Sequence, residues 1–325
     1  MTQFRFTRRS LLKSGGATSA LILFRGADGW AQQLAPAVHT RSRTQVWRPV
    51  ERVVQSVMSR DGAGVKLRRI LGNRDLRMWD PFLLLDEMRS DDPADFAAGF
   101  PTHPHRGFET VTVMLEGAVA HQDSVGNSGV IEGGGVQWMT AGRGILHSEM
   151  PRLLKPGGRL WGYQLWVNLP GRLKMQRPRY QELNASAFGW SSWMDAEARI
   201  IAGKLGKRRG PIDGIATQPL VLDVKMPAGA CVREDLNAER ALCLYVLSGA
   251  LRLEGTAAPV QAGQMAVFGS GDSLFIEAAE DARFFVMAGK PLREPIARRG
   301  PFVMNTEAEL QQAFRDYRSG RLVGG

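Results

Sequence analysis

Short runs of alternating apolar and polar residues dominate the chain from about Val50 onward. The runs ETVTVMLEG (109–117), GVQWMTAG (135–142) and LWGYQLWVNLP (160–170) are rich in β-branched and aromatic residues and end at Gly or Pro. Similar runs follow in the second half: PLVLDVKMP (219–227), LCLYVLSGALRLEG (242–255), GQMAVFGSGDSLFIEA (263–278) and RFFVMAG (283–289). Short strands at this spacing are typical of a sandwich or barrel. The pattern predicts an all-β fold.

Helical periodicity is clearest near the C-terminus, in NTEAELQQAFRDYR (305–318). Thr306 and Glu309 form the pattern of a capping box ahead of Leu310, Phe314 and Tyr317. We therefore predict one short C-terminal helix.

The two halves of the strand pattern resemble each other. VMLEGAVAHQDS (113–124) is similar to YVLSGALRLEGT (245–256), and GGVQWMTAGRG (134–144) is similar to GQMAVFGSGDS (263–273). The match is short, so two unrelated strand-turn-strand units remain the alternative. We interpret the similarity as one small β-barrel present twice.

Histidine is scarce, with five among 325 residues, yet His103 and His105 stand one residue apart. Residues i and i+2 of a strand point to the same face, so both imidazoles can enter one barrel interior. The run GILHSEMP (144–151) repeats this spacing with His147 and Glu149. Three nitrogens and one carboxylate suit Fe(II), Mn(II), Ni(II), Cu(II) or Zn(II). We predict a metal site made of these four residues.

The metal site is expected in the first copy alone. The corresponding positions of the second copy hold Asp235, Asn237 and Phe275. Glu109 is the alternative carboxylate, because His103, His105 and Glu109 follow an H-x-H-x3-E pattern. We favour Glu149 as the ligand, since it shares a strand face with His147, and we assign Glu109 a supporting or structural role.

The N-terminus has the composition of an export signal. Arg8 and Arg9 precede a weakly apolar stretch that is too short to span a bilayer, and Gly29-Trp30-Ala31 supplies small residues for cleavage. The adjacent arginines resemble a twin-arginine signal. We expect residues 1–31 to be removed and the mature protein to lie in the periplasm or to be secreted.

Charge and cysteine content add little about partners. The formal net charge is +10 at pH 7, part of it in the N-terminal segment, and the remaining excess is spread along the chain. We therefore expect no nucleic-acid binding and no membrane insertion of the mature form. Cys231 and Cys243 could form one disulfide or stay as small buried thiols.

Longer motifs make the chain similar to the pirin family. The resemblance runs from about Gly64 to the C-terminal helix and rests on RMWDPFLLLDEM, FPTHPHRGFETV, QWMTAGRGILHSEMP, YQLWVNLP and PLREPIARRGPFVMN. Pirins are bicupins, so the resemblance implies two stacked barrels at 49–168 and 169–325 after a linker at 32–48. It also implies non-haem iron held by His103, His105, His147 and Glu149, and a second barrel without metal.

The resemblance implies two kinds of function. The first is a quercetin 2,3-dioxygenase-type oxygenase that acts on a flavonol-like substrate and O2, with Glu149 as the proton acceptor. The second is a metal-dependent, redox-sensing module that binds a protein partner without turnover. An export signal is not part of the family pattern, which argues against a role beside DNA. We expect a monomer.

Four further residues are candidates for a pocket beside the metal. A flat ligand would need walls such as Phe108, Trp138 and Trp166, although each of these side chains could equally lie in the core. His121 follows Gly117 on a predicted strand, and a structural, hydrogen-bonded histidine is the alternative to a role near the pocket.

Overall fold

The computed structural model describes residues 46–323. The predicted signal peptide and almost all of the predicted linker lie outside the described residues. Within the described part, β-strands dominate and one α-helix stands near the C-terminus, which confirms the all-β prediction. None of the helices in this part is long and apolar enough to cross a membrane.

Twelve strands lie between residues 46 and 184. They are β1 (Val50–Gln55), β2 (Val57–Asp61), β3 (Val65–Leu71), β4 (Phe82–Ser90), β5 (Phe100–His105), β6 (Phe108–Glu116), β7 (Ala118–Asp123), β8 (Ser128–Glu132), β9 (Val136–Thr140), β10 (Ile145–Arg152), β11 (Leu160–Asn168) and β12 (Arg179–Leu183).

The remaining strands and the helix complete the chain. They are β13 (Trp190–Trp193), β14 (Ala196–Ala202), β15 (Lys204–Leu205), β16 (Arg208–Arg209), β17 (Leu220–Met226), β18 (Cys231–Asp235), β19 (Ala241–Ser248), β20 (Ala250–Leu253), β21 (Val260–Gln261), β22 (Gln264–Phe268), β23 (Ser273–Ala278), β24 (Ala282–Gly289), β25 (Ala297–Arg299), β26 (Phe302–Met304) and α1 (Glu307–Arg318). Short 3₁₀ turns occur at Pro93–Asp95, Gly171–Leu173 and Ala185–Ala187.

The strands form two barrels of the same topology. The first barrel pairs a sheet of order β12-β9-β6-β11-β4-β3-β2 with a smaller sheet of order β5-β10-β7-β8. The second barrel pairs β1-β22-β19-β24-β17-β14-β13 with β18-β23-β20-β21. The same strand order recurs, which confirms the bicupin fold with tandem barrels.

One edge strand of each large sheet comes from outside its own run of strands. β1 precedes the first barrel in sequence but pairs antiparallel with β22, with Val53 opposite Ala266. β12 follows the first barrel and pairs antiparallel with β9, with Gln181 opposite Trp138. The predicted boundary between 168 and 169 is therefore crossed by two strands.

Strand alternation on β6 explains why the two large sheets pack face to face. Val111 and Val113 are fully buried in an apolar core that also contains Phe285 and Met287 of the second barrel. Residues of opposite parity, Thr110 and Thr112, are also buried, and alternation turns them toward the interior of the first barrel. The two-residue alternation of side chains on β6 thus places one face against the inter-barrel core and the other face toward a polar interior of the first barrel.

The second barrel is filled by apolar side chains. Leu244 and Val246 of β19 pack with Leu222, Phe284 and Ile276 in a separate core. Cys243 is buried in the core between the barrels, and Cys231 stands on β18. Both cysteines are free thiols.

The C-terminal segment returns to the first barrel. Thr306 caps α1 by accepting a hydrogen bond from the Glu309 amide, and the Glu309 carboxylate accepts one from the Thr306 amide, so the predicted capping box is confirmed. Arg106 next to the His103–His105 pair donates to Asp316 of α1 at 2.7 Å. Gly107 has φ +88°, and a Cβ there would lie 2.0 Å from the Val303 carbonyl oxygen.

Candidate metal centre

Two neighbouring strands bring the predicted ligands together. His103 and His105 occupy the end of β5, and His147 and Glu149 lie on β10. The strands pair antiparallel with His147 opposite His103, and an irregularity in the register separates His147 from Glu149. This pairing converts two i, i+2 spacings, far apart in sequence, into one cluster.

The three imidazoles converge on a common point. His103, His105 and His147 each offer a ring nitrogen, and these atoms lie within 4.8 Å of one another. His103 Nε2 is 3.1 Å from His105 Nε2, while the opposite ring nitrogens approach the carbonyl oxygens of Pro101 at 2.9 Å and Pro301 at 3.4 Å. An outer carbonyl contact of this kind orients a metal-ligating histidine.

The donor set fits a divalent metal. Both ring nitrogens of His147 are buried and have no hydrogen-bond partner among the described residues. Buried polar groups of this kind need a partner, and a cation placed between the three rings would supply one. The three histidines can therefore hold a metal ion, whose identity the protein ligands alone do not determine.

Burial favours the neutral form of His105 and His147, which is the form that binds metal. It lowers the pKa of His105 well below the usual value, and the neighbouring rings of His147 and His103 lower it further. Burial also lowers the pKa of His147 to about 4, against the opposing effect of the Glu149 carboxylate. At neutral pH these two histidines thus present lone pairs without a competing proton.

Glu149 lies beside the cluster in a hydrogen-bonded setting. Its Oε2 is 3.9 Å from His147 Nε2. Thr112 donates to Oε1 at 3.2 Å, and the Gln164 amide donates to both oxygens at 3.0 and 3.1 Å. Trp166 Nε1 in turn donates to the Gln164 carbonyl at 3.0 Å, which fixes the amide orientation. The carboxylate is held at the edge of the site, and its ligand role stays a prediction.

Glu109 lies on the same face of β6 as Val111 and Val113, which is the face toward the inter-barrel core. It is 2% exposed and accepts a hydrogen bond from Thr140 at 2.7 Å. Its second oxygen and the Trp138 indole nitrogen are both buried without hydrogen-bond partners in residues 46–323. Burial raises the pKa of Glu109 to about 7, although the Thr140 hydrogen bond opposes the shift. Strand alternation therefore favours Glu149 over Glu109 as the carboxylate of the site.

The four predicted pocket residues lie in different places. Trp166 lines the cavity beside the histidines, and Phe108 packs behind it, with ring centroids 5.0 Å from His105 and 4.2 Å from Trp166. Trp138 belongs to the inter-barrel core instead. His121 is opposite Glu149 on β7, and its Nε2 lies 2.5 Å from a Glu182 carboxylate oxygen.

A cavity of about 540 Å³ opens next to the histidines. Its apolar walls come from Leu67, Leu84, Met88, Phe100 and Trp166. Sequence reasoning missed its charged wall, where Arg69 donates to both oxygens of Asp86 at 2.9 and 2.7 Å and Arg298 approaches from the C-terminal segment. Asp86 lies in the motif DPFLLLDEM and Arg298 in the motif PLREPIARR. The residue spacing in these motifs does not indicate that either side chain lines a pocket.

Two tandem barrels, with a histidine cluster in the first and an apolar interior in the second, define a bicupin that can bind metal at one site. The Pirin family profile matches residues 64–167, and the profile of the pirin C-terminal cupin domain matches residues 221–323. The chain belongs to the pirin family.

Individual relatives agree with this assignment. A pirin-like protein of Caulobacter vibrioides is 45% identical over 282 residues, which cover 84% of this chain and 99% of the relative. A Pseudomonas aeruginosa protein with the provisional name quercetin 2,3-dioxygenase is 42% identical, covering 81% and 94%. The crystal structure of a quercetin 2,3-dioxygenase from Acinetobacter baumannii has a TM-score of 0.78 at 33% identity, covering 86% of this chain and 99% of that one.

Proposed function

We propose that this protein is a metal-dependent dioxygenase that acts on flavonol-like aromatic substrates. The observation that carries the proposal is the cavity with aromatic and aliphatic walls that reaches His103, His105 and Glu149. A relative of similar structure is described as a quercetin 2,3-dioxygenase, which supports the same chemistry here. Fe(II) is the proposed metal, with Mn, Ni, Cu or Zn as the other ions that this donor set accepts.

The cavity suits a flat ligand. Small-molecule sites are clefts of roughly 300–1,000 Å³ with mostly apolar walls and few polar groups, and the cavity has about 540 Å³. Phe100 and Trp166 provide aromatic surface. Leu84, opposite Trp166 in the pairing of β4 with β11, and Met88 add aliphatic surface. A redox-sensing module would instead need a broad exposed patch around the metal, so a concave cavity beside the histidines favours the enzyme.

Each side chain has a defined task in such a reaction. A bound divalent metal would act as a Lewis acid that lowers the pKa of the substrate hydroxyl. Glu149 would accept the hydroxyl proton at Oε2, because this oxygen faces His147. Gln164 holds the carboxylate in place through its amide. Phe108, packed behind His105, excludes water from the rear of the site.

We also propose that the protein works outside the cytoplasmic membrane. The support is the Arg8-Arg9 pair and the short apolar stretch after it. Export of a folded chain would load the metal before transport, so the compartment of folding would select the ion.

Oxygen uptake tests the proposal directly. The full-length chain is loaded anaerobically with Fe(II), its iron content is measured, and quercetin and then oxygen are added. We expect metal-dependent uptake with loss of the flavonol absorbance. No uptake by protein that verifiably contains iron would overturn the dioxygenase assignment.

Two variants locate the chemistry. His105→Ala should lose the metal, because it removes one of three converging nitrogens. Glu149→Gln should retain metal and lose turnover, because an amide cannot accept the proton. Glu132→Gln, an exposed change on β8 of the same barrel, is the matched control and should behave as the parent. Turnover by His105→Ala would refute the site.

A further inference from the structure

The C-terminal hairpin forms one wall of the cavity. β25 and β26 pair antiparallel with Arg298 opposite Val303. The Val303 amide donates to the Arg106 carbonyl at 3.0 Å, which attaches the hairpin to the strand end that carries His105. Arg298, Gly300 and Pro301 consequently line the cavity, although they lie in the second half of the chain.

The two guanidinium groups of the cavity differ in their partners. Arg69 pairs with both oxygens of Asp86 and with Asp61 at 2.6 Å, so its charge is balanced by carboxylates. Arg298 forms no ion pair with any residue in 46–323. Its Nη1 donates to the Leu83 carbonyl at 2.8 Å, and its Cζ lies 4.8 Å from the Trp166 ring centroid. Backbone and indole thus hold this guanidinium in place, and the carboxylates of Asp86 and Asp61 attract it only from beyond ion-pair distance.

The same indole connects Arg298 with the metal end of the cavity. The Trp166 ring centroid is 5.3 Å from that of His105 and 4.8 Å from Arg298 Cζ. Because all three residues line the same cavity, a planar ligand bound at the histidines has the guanidinium as a neighbour across the width of one indole. Arginine presents paired N–H donors that match the two oxygens of a carboxylate or a similar anion.

We propose that Arg298 selects aromatic ligands that carry an acidic group at the end remote from the metal-binding oxygens. The proposal rests on the proposed function for the aromatic nature of the ligand. It adds that, within that class, ligands with an anionic group such as a carboxylate or a sulfonate bind more tightly than their neutral counterparts.

Binding of a matched ligand pair tests this selection. The probes are 3,4-dihydroxybenzoate and 3,4-dihydroxybenzamide, which share the catechol and differ in the charge at the far end. Affinities are measured by calorimetry on the full-length chain loaded with Zn(II), so that no turnover occurs. Because hydrogen bonds to charged groups are the stronger ones, we expect the parent protein to bind the benzoate about tenfold more tightly than the benzamide.

Variants assign the preference to one side chain. Arg298→Gln should reduce the ratio of the affinity for the benzoate to that for the benzamide about tenfold. The two probes also differ in catechol acidity, and comparing this affinity ratio between variants cancels that difference. Arg299→Gln removes a charge from the same hairpin at an exposed residue paired with Glu307, and it should keep the parent ratio. Arg298→Lys, which keeps the charge without the planar fork, should give an intermediate ratio.

The outcomes separate this proposal from the oxygenase proposal. An unchanged ratio in Arg298→Gln, or no preference in the parent, would overturn the role of Arg298 even if quercetin is consumed. A preference that depends on Arg298 without any oxygen uptake would support the selection and reject the dioxygenase. Zn(II) content and thermal midpoints of each variant verify folding. If Arg298→Gln unfolds, the parent preference must decrease with added salt, since a charge contact is screened, and a salt-independent preference would also overturn the role.

Discussion

Glu109→Gln distinguishes a buried structural acid from a metal ligand. Glu109 stands four residues after His105 but faces the inter-barrel core, where burial raises the pKa of its carboxyl to about 7. The usual value is about 4.5, so the folded protein binds this proton more tightly than the unfolded chain does. Between these two values the native state carries more protons, and stability therefore falls as the pH rises.

The size of the effect follows from the shift. One pKa unit corresponds to about 1.4 kcal/mol, so the parent should lose about 3 kcal/mol of unfolding free energy from this group between pH 4.5 and pH 8. Glutamine stays neutral at every pH and keeps an acceptor for the Thr140 hydroxyl. Its amide places a donor where the protonated acid has one, so the two proteins should differ by less than about 1 kcal/mol at pH 5.

Thermal midpoints from pH 5 to pH 9 provide the assay. In a chain of this size the advantage of Glu109→Gln above pH 8 corresponds to roughly 5–10 °C, and it should vanish near pH 5. Metal content, measured on the same samples, should match that of the parent, with His105→Ala as the variant that loses metal. A pH-independent difference would refute the raised pKa, and loss of metal from Glu109→Gln would refute its placement away from the site.

Two further predictions concern the packing around the site. Gly107→Ala should destabilise the fold by about 3 kcal/mol, because its Cβ would meet the Val303 carbonyl oxygen at 2.0 Å. Gly157 has a similar φ of +69° with open space around it. Gly157→Ala should therefore lose clearly less unfolding free energy, measured by chemical denaturation. Tyr163→Phe should change stability by less than about 1 kcal/mol, since the buried hydroxyl has no hydrogen-bond partner in the described residues. Tyr245→Phe, which removes the donor to Glu87, should destabilise by about 2 kcal/mol, and equal losses in the two variants would contradict this reasoning.

The histidine cluster was predictable because it depends on the shortest-range rule of a strand. Spacing of i, i+2 places His103 with His105 and His147 with Glu149 on common faces. The sequence could not decide which faces meet, since that depends on the pairing of β5 with β10. The spacing on the strands and the motifs shared with the pirin family indicate the same four residues.

The cavity residues were not predictable in the same way. Trp138 and Trp166 both lie in apolar strand runs, but the parity of each residue decides between the inter-barrel core and the cavity. Both faces of the large sheet are buried. The sequence therefore does not show which residues of a strand face the core and which face the cavity until the neighbouring sheet is known. Arg298 is harder still, since it reaches the site through a tertiary contact of the C-terminal hairpin.

The exchanged strands and the hairpin show what the second half of the chain contributes to the first barrel. The interior of the first barrel presents Thr110, Thr112 and the histidines where the second presents Leu244 and Val246, so the first barrel buries less apolar surface of its own. The inter-barrel core compensates for this, because its apolar residues come from both large sheets. The second half of the chain also supplies the carbonyl of Pro301 that orients His105. A first barrel without the second half would therefore lack an apolar partner, the outer hydrogen bond of one metal ligand and the cation of the cavity wall.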